Sequence, residues 1–160
     1  MILFRAAHTS EAAVIAGMSR LHIEYGLRWR WTPAKVRRHI LDPETMALVT
    51  TRDGIISGFA IMRFGDTTAH LLLLAVDPKA RRMGLGRGML EWLEKSCVTA
   101  GIQHIRLEVR SDNNIAHRFY QALGFRPLGQ LDAYYDSEES ATIFGKSLIG
   151  TDQAIGPAPD

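Results

Sequence analysis

The sequence predicts a single α/β domain built around a central mixed sheet. Three observations lead to this prediction: helical and strand-like patterns alternate along the chain, no repeat or linker interrupts them, and 46% of the 160 residues are hydrophobic. A chain of this length buries roughly 70% of the surface that its unfolded form exposes, so it needs no disulfide or structural metal. We expect one domain over residues 1–149 and a flexible tail over residues 150–160.

Cap and turn residues divide the N-terminal half into its elements. Thr9 or Ser10 is expected to cap the first helix, whose apolar residues recur at helical spacing until Gly26. Thr32 is expected to cap the second helix, and the residue before Pro43 is pushed out of the helical region and ends it. In order, we predict a strand at 2–5, helices at about 10–25 and 33–42, strands at 46–51 and 55–64, and a strand that ends at 76.

Glycines mark the ends of the helices in the C-terminal half. Gly101 follows one helix and Gly124 the next, in the position where glycine commonly terminates a helix. The strand between these helices alternates in character, which puts Glu108 on the face opposite Leu107 and Val109. We predict a helix at 85–100, a strand at 104–109, a helix at 114–123, and strands near 125–131 and 141–148.

The small net charge of +2 hides two basic stretches. Residues 28–41 hold five basic residues and residues 79–90 hold four, with no acid in either, whereas the remainder carries ten basic residues against 17 acids. A protein that binds a polyanion spreads its positive charge over a face, so we expect no nucleic-acid partner. A local cluster suits a small ligand that bears phosphate.

Composition argues against several further classes of protein. Cys97 is the single cysteine, so an internal disulfide is impossible, and the six histidines have no metal-ligand spacing. The longest apolar run, residues 71–76, is too short to span a bilayer, and the N-terminus lacks the long apolar region of a secretory signal. We therefore expect no metal, no membrane partner and a reducing, cytoplasmic location.

Residues 77–88 form a glycine-rich turn between a buried strand and an amphipathic helix. Such a turn makes an anion site because unpaired amides and the positive end of the helix dipole point at the same place. A Walker loop is excluded because no Gly-Lys-Ser/Thr follows, and a dinucleotide fingerprint because Met89 stands where its third glycine belongs. A helix start with a solvated basic face is the alternative.

The turn and a second block together are similar to a known family. Arg81-x-x-Gly84-x-Gly86, after a strand that ends in Ala-Val-Asp-Pro, resembles the coenzyme A pyrophosphate loop of the GCN5-related N-acetyltransferase (GNAT) superfamily. Residues 107–125, with Leu-Glu-Val-Arg, tyrosine and Gly-Phe elements, are similar to its ribosomal-protein alanine N-acetyltransferases. The resemblance covers about residues 67–148. It implies the GNAT fold: a mostly antiparallel sheet of about seven strands, splayed in the middle, with four helices packed on both faces.

The resemblance implies an acetyl-CoA-dependent N-acetyltransferase that acts on a primary amine by direct transfer in a ternary complex. A protein or peptide α-amine is the expected acceptor, because at pH 7 it is neutral far more often than a lysine amine. A small-molecule amine, an amino acid or an antibiotic is the alternative acceptor, and a non-catalytic CoA-binding regulatory module is the alternative of another class. A monomer and a homodimer are both compatible with the sequence.

The resemblance also assigns roles to individual residues. Glu108 is the implied base and Tyr120 the implied acid, which meets the departing sulfur. A carboxylate is too weak by about 5 kcal/mol to deprotonate an α-ammonium directly, so Glu108 needs a raised pKa or a relay through water. The alternatives are an ion pair with neighbouring arginines for Glu108 and core packing for Tyr120; Cys97 is expected to pack rather than to carry the acyl group. Expected coenzyme contacts are Leu74, Ala75, Val76, Arg81, Arg82, Met83, Gly84, Leu85, Gly86, Arg87 and Asn113, and expected substrate contacts are Trp29, Trp31, Tyr134 and Tyr135.

Overall fold

Helices and strands alternate through residues 1–132 and 140–149, the residues that the computed structural model describes. The proposed tail at 150–160 lies outside them. Short 3-10 turns at Thr9–Glu11 and Pro78–Ala80 precede the first and third helices. In chain order, the elements are β1 (Ile2–Ala6), α1 (Ala12–His22), α2 (Pro33–Leu41), β2 (Thr45–Arg52), β3 (Ile55–Phe64), β4 (Thr68–Val76), α3 (Leu85–Thr99), β5 (His104–Arg110), α4 (Asn114–Ala122), β6 (Arg126–Leu131) and β7 (Ala141–Ser147).

Within residues 1–132 and 140–149, the strands form a mixed, open sheet of seven strands in the order β1-β2-β3-β4-β5-β7-β6. The pairs β1–β2, β2–β3, β5–β7 and β6–β7 are antiparallel. β4 and β5 run parallel, with His70 opposite Arg106. The predicted α/β class, mixed sheet and four helices are confirmed. The described residues form two compact units, residues 1–64 with 71–96 and residues 65–70 with 97–132 and 140–149.

In the first unit, helices lie on both faces of the strands. Val49 and Phe59 are fully buried in one apolar cluster with Ile15 of α1. Gly58, which precedes Phe59 and therefore faces the other way, lies against α3: a Cβ at Gly58 would be 3.2 Å from the Met89 Cε. This arrangement agrees with the prediction of helices on both faces.

The second helix follows its predicted bounds because local signals set them. Thr32 Oγ1 accepts the N–H of Lys35 (3.3 Å), Pro33 occupies the first turn, and Leu41 is the last helical residue before Asp42 and Pro43. Thr32 acts through its own side chain and the prolines act through their fixed backbone geometry, and a short stretch of sequence specifies both.

The predicted caps of α1 are wrong. Neither Thr9 nor Ser10 caps the helix; instead the His8 N–H donates to Glu11 Oε1 (2.8 Å) and the Glu11 N–H donates to the His8 carbonyl (2.9 Å). The two side-chain oxygens of Glu11 also accept hydrogen bonds from Arg5 at 3.0 and 2.7 Å. A 3-10 turn therefore starts the helix, because Glu11 has a cation to bind on the neighbouring strand.

The helix also ends at His22, earlier than the predicted end near Gly26. The N–H groups of Ile23 and Glu24 both donate to the Ser19 carbonyl, at 2.9 and 2.7 Å. Glu24 then turns inward and is 7% exposed, with its Oε2 accepting the Ser19 hydroxyl at 2.7 Å. This buried carboxylate, which no local pattern predicts, sets the end of α1.

In the second unit, β5 separates two different surfaces. Ile105, Leu107 and Val109 are buried. Phe144 lies opposite Leu107 on β7 and has Tyr120 of α4 packed against it, with ring centroids 6.4 Å apart. The remaining β5 side chains face the other way.

Candidate active site

The turn between β4 and α3 has the conformation of an anion site. The Asp77 carboxylate accepts the N–H of Lys79 (2.9 Å) and so folds the start of the turn. Arg82 and Gly84 then adopt positive φ angles of 66° and 76°. These reversals expose the residues from Arg81 to Gly84 immediately before the helix begins.

The first amides of α3 point out of the helix without partners. The first hydrogen bond of the helix runs from the Gly88 N–H to the Gly84 carbonyl (2.9 Å). Within the described residues, the N–H groups of Leu85, Gly86 and Arg87 have no acceptor. Unsatisfied N–H groups at a helix N-terminus bind anions, phosphate among them. These residues fit the pyrophosphate of coenzyme A.

The glycines of this turn have different roles. Gly84 has a positive φ and open space around its missing side chain, which suits close approach by a ligand. Gly88 is required for packing instead, because a Cβ there would lie 2.5 Å from the Phe4 Cζ. The sequence pattern alone does not separate these roles.

The other expected coenzyme contacts lie at the ends of elements. Leu74, Ala75 and Val76 are the last residues of β4, with Ala75 buried and its neighbours half-buried. Asn113 caps α4: its Oδ1 accepts the N–H of Ala116 at 3.1 Å. The side-chain oxygen of Asn113 therefore has a structural partner, and its coenzyme contact stays a prediction.

Glu108 is half-buried and held by two basic groups. His70 Nε2 lies 2.7 Å from Glu108 Oε1, and Arg106 Nε lies 3.3 Å from Oε2. The alternation of β5 puts Glu108 on the face opposite Leu107 and Val109, as predicted. The alternative of an arginine ion pair is thus realised through Arg106, together with a histidine that the sequence did not single out.

The environment of Glu108 lowers the pKa of its carboxyl group. Burial raises this pKa, but the hydrogen bond from His70 and the electrostatic effects of the basic groups His70 and Arg106 outweigh burial. Glu108 is therefore ionised at neutral pH and is a weaker base than an ordinary glutamate. The raised pKa required for direct deprotonation of an amine is absent.

Tyr120 is buried in an aromatic cluster of the second unit. Its ring forms edge contacts with Phe119 (5.0 Å) and Phe125 (5.6 Å). Burial raises the pKa of its hydroxyl far above the ordinary range, so the group stays protonated. Within the described residues the hydroxyl has no hydrogen-bond partner. Tyr120 thus packs as a core residue and retains a proton to donate.

The expected substrate contacts are divided between described and undescribed parts of the chain. Trp29 and Trp31 pack against the apolar cluster of the first unit. The Arg20 guanidinium lies 4.8 Å from the Trp29 ring and Lys35 Nζ lies 4.3 Å from the Trp31 ring. Tyr134 and Tyr135 lie outside the described residues.

The described residues contain neither a metal-binding cluster nor a membrane-spanning helix. No group of three His, Cys, Asp or Glu side chains within residues 1–132 and 140–149 is placed to hold a metal ion. In the same ranges, no helix is long and apolar enough to cross a membrane. Cys97 is fully buried, in agreement with the predicted packing role.

The mixed sheet and the turn before α3 define an α/β protein with an anion-binding loop. Residues 14–125 match the model of the Acetyltransferase (GNAT) family, and the chain belongs to this family.

Two curated relatives and one solved structure are similar to the chain. The [ribosomal protein bS18]-alanine N-acetyltransferase of Escherichia coli K12 is 38% identical over 96 residues, which are 58% of this chain and 65% of that protein. The N-alpha-acetyltransferase RimI of Mycobacterium tuberculosis is 31% identical over 109 residues, 66% of this chain and 67% of the relative. The crystal structure of the E. coli ribosomal-protein-S18-alanine N-acetyltransferase superposes with a TM-score of 0.79 at 26% identity, covering 92% of this chain and 94% of that one.

Proposed function

We propose that the protein is an acetyl-CoA-dependent N-acetyltransferase that acetylates the α-amine of a protein or peptide by direct transfer in a ternary complex. The observation that carries the proposal is the Glu108 carboxylate, half-buried on β5 and fixed by His70, in a chain of the GNAT family. One curated relative is named an alanine N-acetyltransferase and the other an N-alpha-acetyltransferase. These names support a protein α-amine as the acceptor.

The turn before α3 would hold the coenzyme. The free amides of Leu85, Gly86 and Arg87 would donate to its pyrophosphate, and the exposed guanidinium groups of Arg81 and Arg82 would pair with its phosphates. When bound, acetyl-CoA supplies a thioester that a neutral amine can attack.

Loss of the amine proton is the step that requires a base. Taking the proton from an α-ammonium costs about 5 kcal/mol for an ordinary carboxylate but only about 2 kcal/mol for an ordinary imidazole, and the lowered pKa of Glu108 widens the carboxylate's deficit. The Nε2 of His70 is occupied by Glu108, whereas its Nδ1 has no partner within the described residues. We infer that His70 accepts the proton at Nδ1, and that Glu108 orients the imidazole and attracts the ammonium group.

Tyr120 is suited to the departing thiolate. Its hydroxyl stays protonated across the working pH range because burial raises its pKa. For ordinary groups, transfer of a phenol proton to a thiolate is uphill by about 2 kcal/mol, so a strong hydrogen bond to sulfur is the expected contribution. Cys97 is fully buried, which supports direct transfer over an acyl-cysteine intermediate.

Release of free thiol from acetyl-CoA tests this function. The acceptors are a peptide with a free α-amine, the same peptide with a blocked α-amine and a free lysine, and a panel of small amines. Release that requires the free α-amine is expected. Faster release with a small amine would favour the alternative acceptor, and tight binding of acetyl-CoA without acceptor-dependent release would favour a regulatory module. Absence of acetyl-CoA binding would contradict the assignment altogether.

A further inference from the structure

A groove of about 530 Å³ lies on the second unit beside the Glu108 site. Its walls come from β4, β5, β6 and β7, and the described residues that line it include Arg106, Arg126 and His104 but no aspartate or glutamate. Lys146 also contributes to the lining, but its Nζ donates to the Leu123 carbonyl (2.8 Å), toward α4. The arginines therefore supply the positive charge of the groove.

The strand register sets two arginines on either side of a glycine. Arg106 lies opposite Gly145, and Gly145 lies opposite Arg126, so the three residues form a row across β5, β7 and β6 on one face. His70 continues this row on β4. Glu108 lies one same-face step further along β5. Arg106, which lines the groove, thus also contacts the Glu108 carboxylate on which the proposed function rests.

Gly145 and Leu128 shape the floor of the groove. A Cβ at Gly145 would lie 2.6 Å from the Leu128 Cδ1, so a side chain at this position would displace Leu128. Leu128 is itself 66% exposed. The floor therefore offers an apolar contact between two cationic walls, a combination that suits an extended peptide with a carboxylate side chain.

Arg126 is available to such a ligand. It is exposed on the edge strand β6 and has no hydrogen-bond or ion-pair partner within residues 1–132 and 140–149. Arg106, by contrast, lies 3.3 Å from Glu108. Of the two arginines, Arg126 is consequently the one whose charge can pair with a ligand.

We propose that this basic groove binds the acceptor peptide beyond its α-amine and that Arg126 selects an acidic side chain there. The inference rests on the proposed function, because it places the amine near Glu108. Arg126 is displaced from Glu108 by two strands and one same-face step, or about 12 Å, which an extended peptide spans in about three to four residues. The preferred acceptor therefore carries aspartate or glutamate at about its fourth position.

Peptides that differ at one position test the proposal. The fourth residue is aspartate, asparagine or lysine in three otherwise identical peptides, and a further peptide carries its single aspartate at the eighth position. We expect kcat/KM to be about fivefold higher for aspartate than for asparagine at position four, because a solvent-exposed charge pair contributes about that much. The difference should lie in KM and not in kcat. Aspartate at position eight should give no gain.

Variants of Arg126 separate a peptide contact from a general charge effect. Arg126→Gln should abolish the preference for aspartate while leaving the rate with the asparagine peptide unchanged, and Arg126→Glu should reverse the preference toward lysine. Arg118→Gln is the matched control, because Arg118 is exposed on α4, which packs on the opposite face. It should behave as the parent protein does.

The outcomes distinguish this inference from the function on which it rests. Acceptor-dependent thiol release without any effect of residue four, or an equal loss with every peptide in Arg126→Gln, would overturn the groove assignment and leave the acetyltransferase intact. A change in sedimentation in Arg126→Glu without a change in peptide preference would assign the groove to a second copy of the chain and also overturn it. If no thiol is released with any peptide or amine, both the groove assignment and the proposed acetyltransferase function are contradicted.

Discussion

His70 Nε2 lies 2.7 Å from Glu108 Oε1, a contact that joins two neighbouring parallel strands. If His70 accepts the amine proton, His70→Gln should lower kcat about 100-fold, the contribution of a positioned base. Glu108→Gln should lower kcat less, because the imidazole remains. The measurement is kcat with a saturating acceptor peptide for the parent and both variants. A smaller loss in His70→Gln than in Glu108→Gln would assign the histidine a structural role only.

Removal of the Tyr120 hydroxyl should affect catalysis more than folding. Tyr120→Phe keeps the ring that packs against Phe125 and Phe144, so thermal unfolding should change little. The loss of the hydrogen bond to sulfur should lower kcat by at least about tenfold, which is less than the roughly 100-fold that full proton transfer from a positioned acid contributes. Tyr120→Ala provides the contrast, with an expected loss of about 3–5 kcal/mol in the free energy of unfolding. Wild-type turnover in Tyr120→Phe would contradict a role of the hydroxyl in the mechanism.

Two glycine-to-alanine changes should have opposite effects on stability. Gly88→Ala places a methyl group 2.5 Å from the Phe4 ring and should destabilise the protein by about 1–3 kcal/mol. Gly17→Ala, inside α1 with no atom within 4 Å of the new Cβ, should stabilise it by up to about 1 kcal/mol. Urea unfolding of both variants checks the prediction. Equal effects would contradict the packing role of Gly88.

Glu24 should hold the segment that carries Trp29 and Trp31. Its Oε1 accepts the N–H groups of Arg30 (2.7 Å) and Trp31 (3.2 Å), and its Oε2 accepts the Ser19 hydroxyl. Glu24→Gln replaces one acceptor by a donor and should cost about 1–3 kcal/mol of stability. Hydrogen exchange should show faster exchange of the Arg30 and Trp31 amides in the variant. Unchanged protection of these amides would mean that the segment is held by other contacts.

The Arg5–Glu11 pair should make stability depend on acid pH. The hydrogen bonds from Arg5 lower the pKa of Glu11, and the backbone N–H of His8 lowers it further, against an opposing effect of burial. A depressed pKa in the folded state stabilises the protein above the unfolded value of about 4.3, and this contribution is lost as the pH falls through the folded value. Glu11→Gln should therefore be less stable than the parent at pH 7 and approach it at pH 3. A constant difference across this range would contradict the account.

Local signals predicted much of the fold, and long-range register set what they missed. The side-chain cap of Thr32 and the fixed backbones of Pro33 and Pro43 set the bounds of α2, so the sequence located this helix closely. The end of α1 depends on the burial of Glu24, which requires Ser19 and Arg30 to lie close to its carboxylate. A short stretch of sequence does not show that these residues come together.

The same distinction holds for the candidate site. The glycine spacing predicts the turn before α3. The free amides follow from it, because the first N–H groups of any helix have no acceptor within the helix. The partnership of His70 with Glu108 depends on a parallel register between residues 38 positions apart. The sequence shows a histidine on the strand before the one that carries Glu108. It does not show how the two strands align, so it could not predict that the two side chains meet.

The position of the acetyl group on the product tests the central claim most directly. A peptide with a free α-amine and an internal lysine is incubated with the protein and acetyl-CoA, and mass spectrometry locates the modification on the peptide and on the protein itself. We predict an acetyl group on the α-nitrogen of the peptide and none on Cys97. An unmodified peptide, an acetyl group confined to the lysine, or an acetylated Cys97 that transfers its group to the peptide would contradict direct transfer to an α-amine.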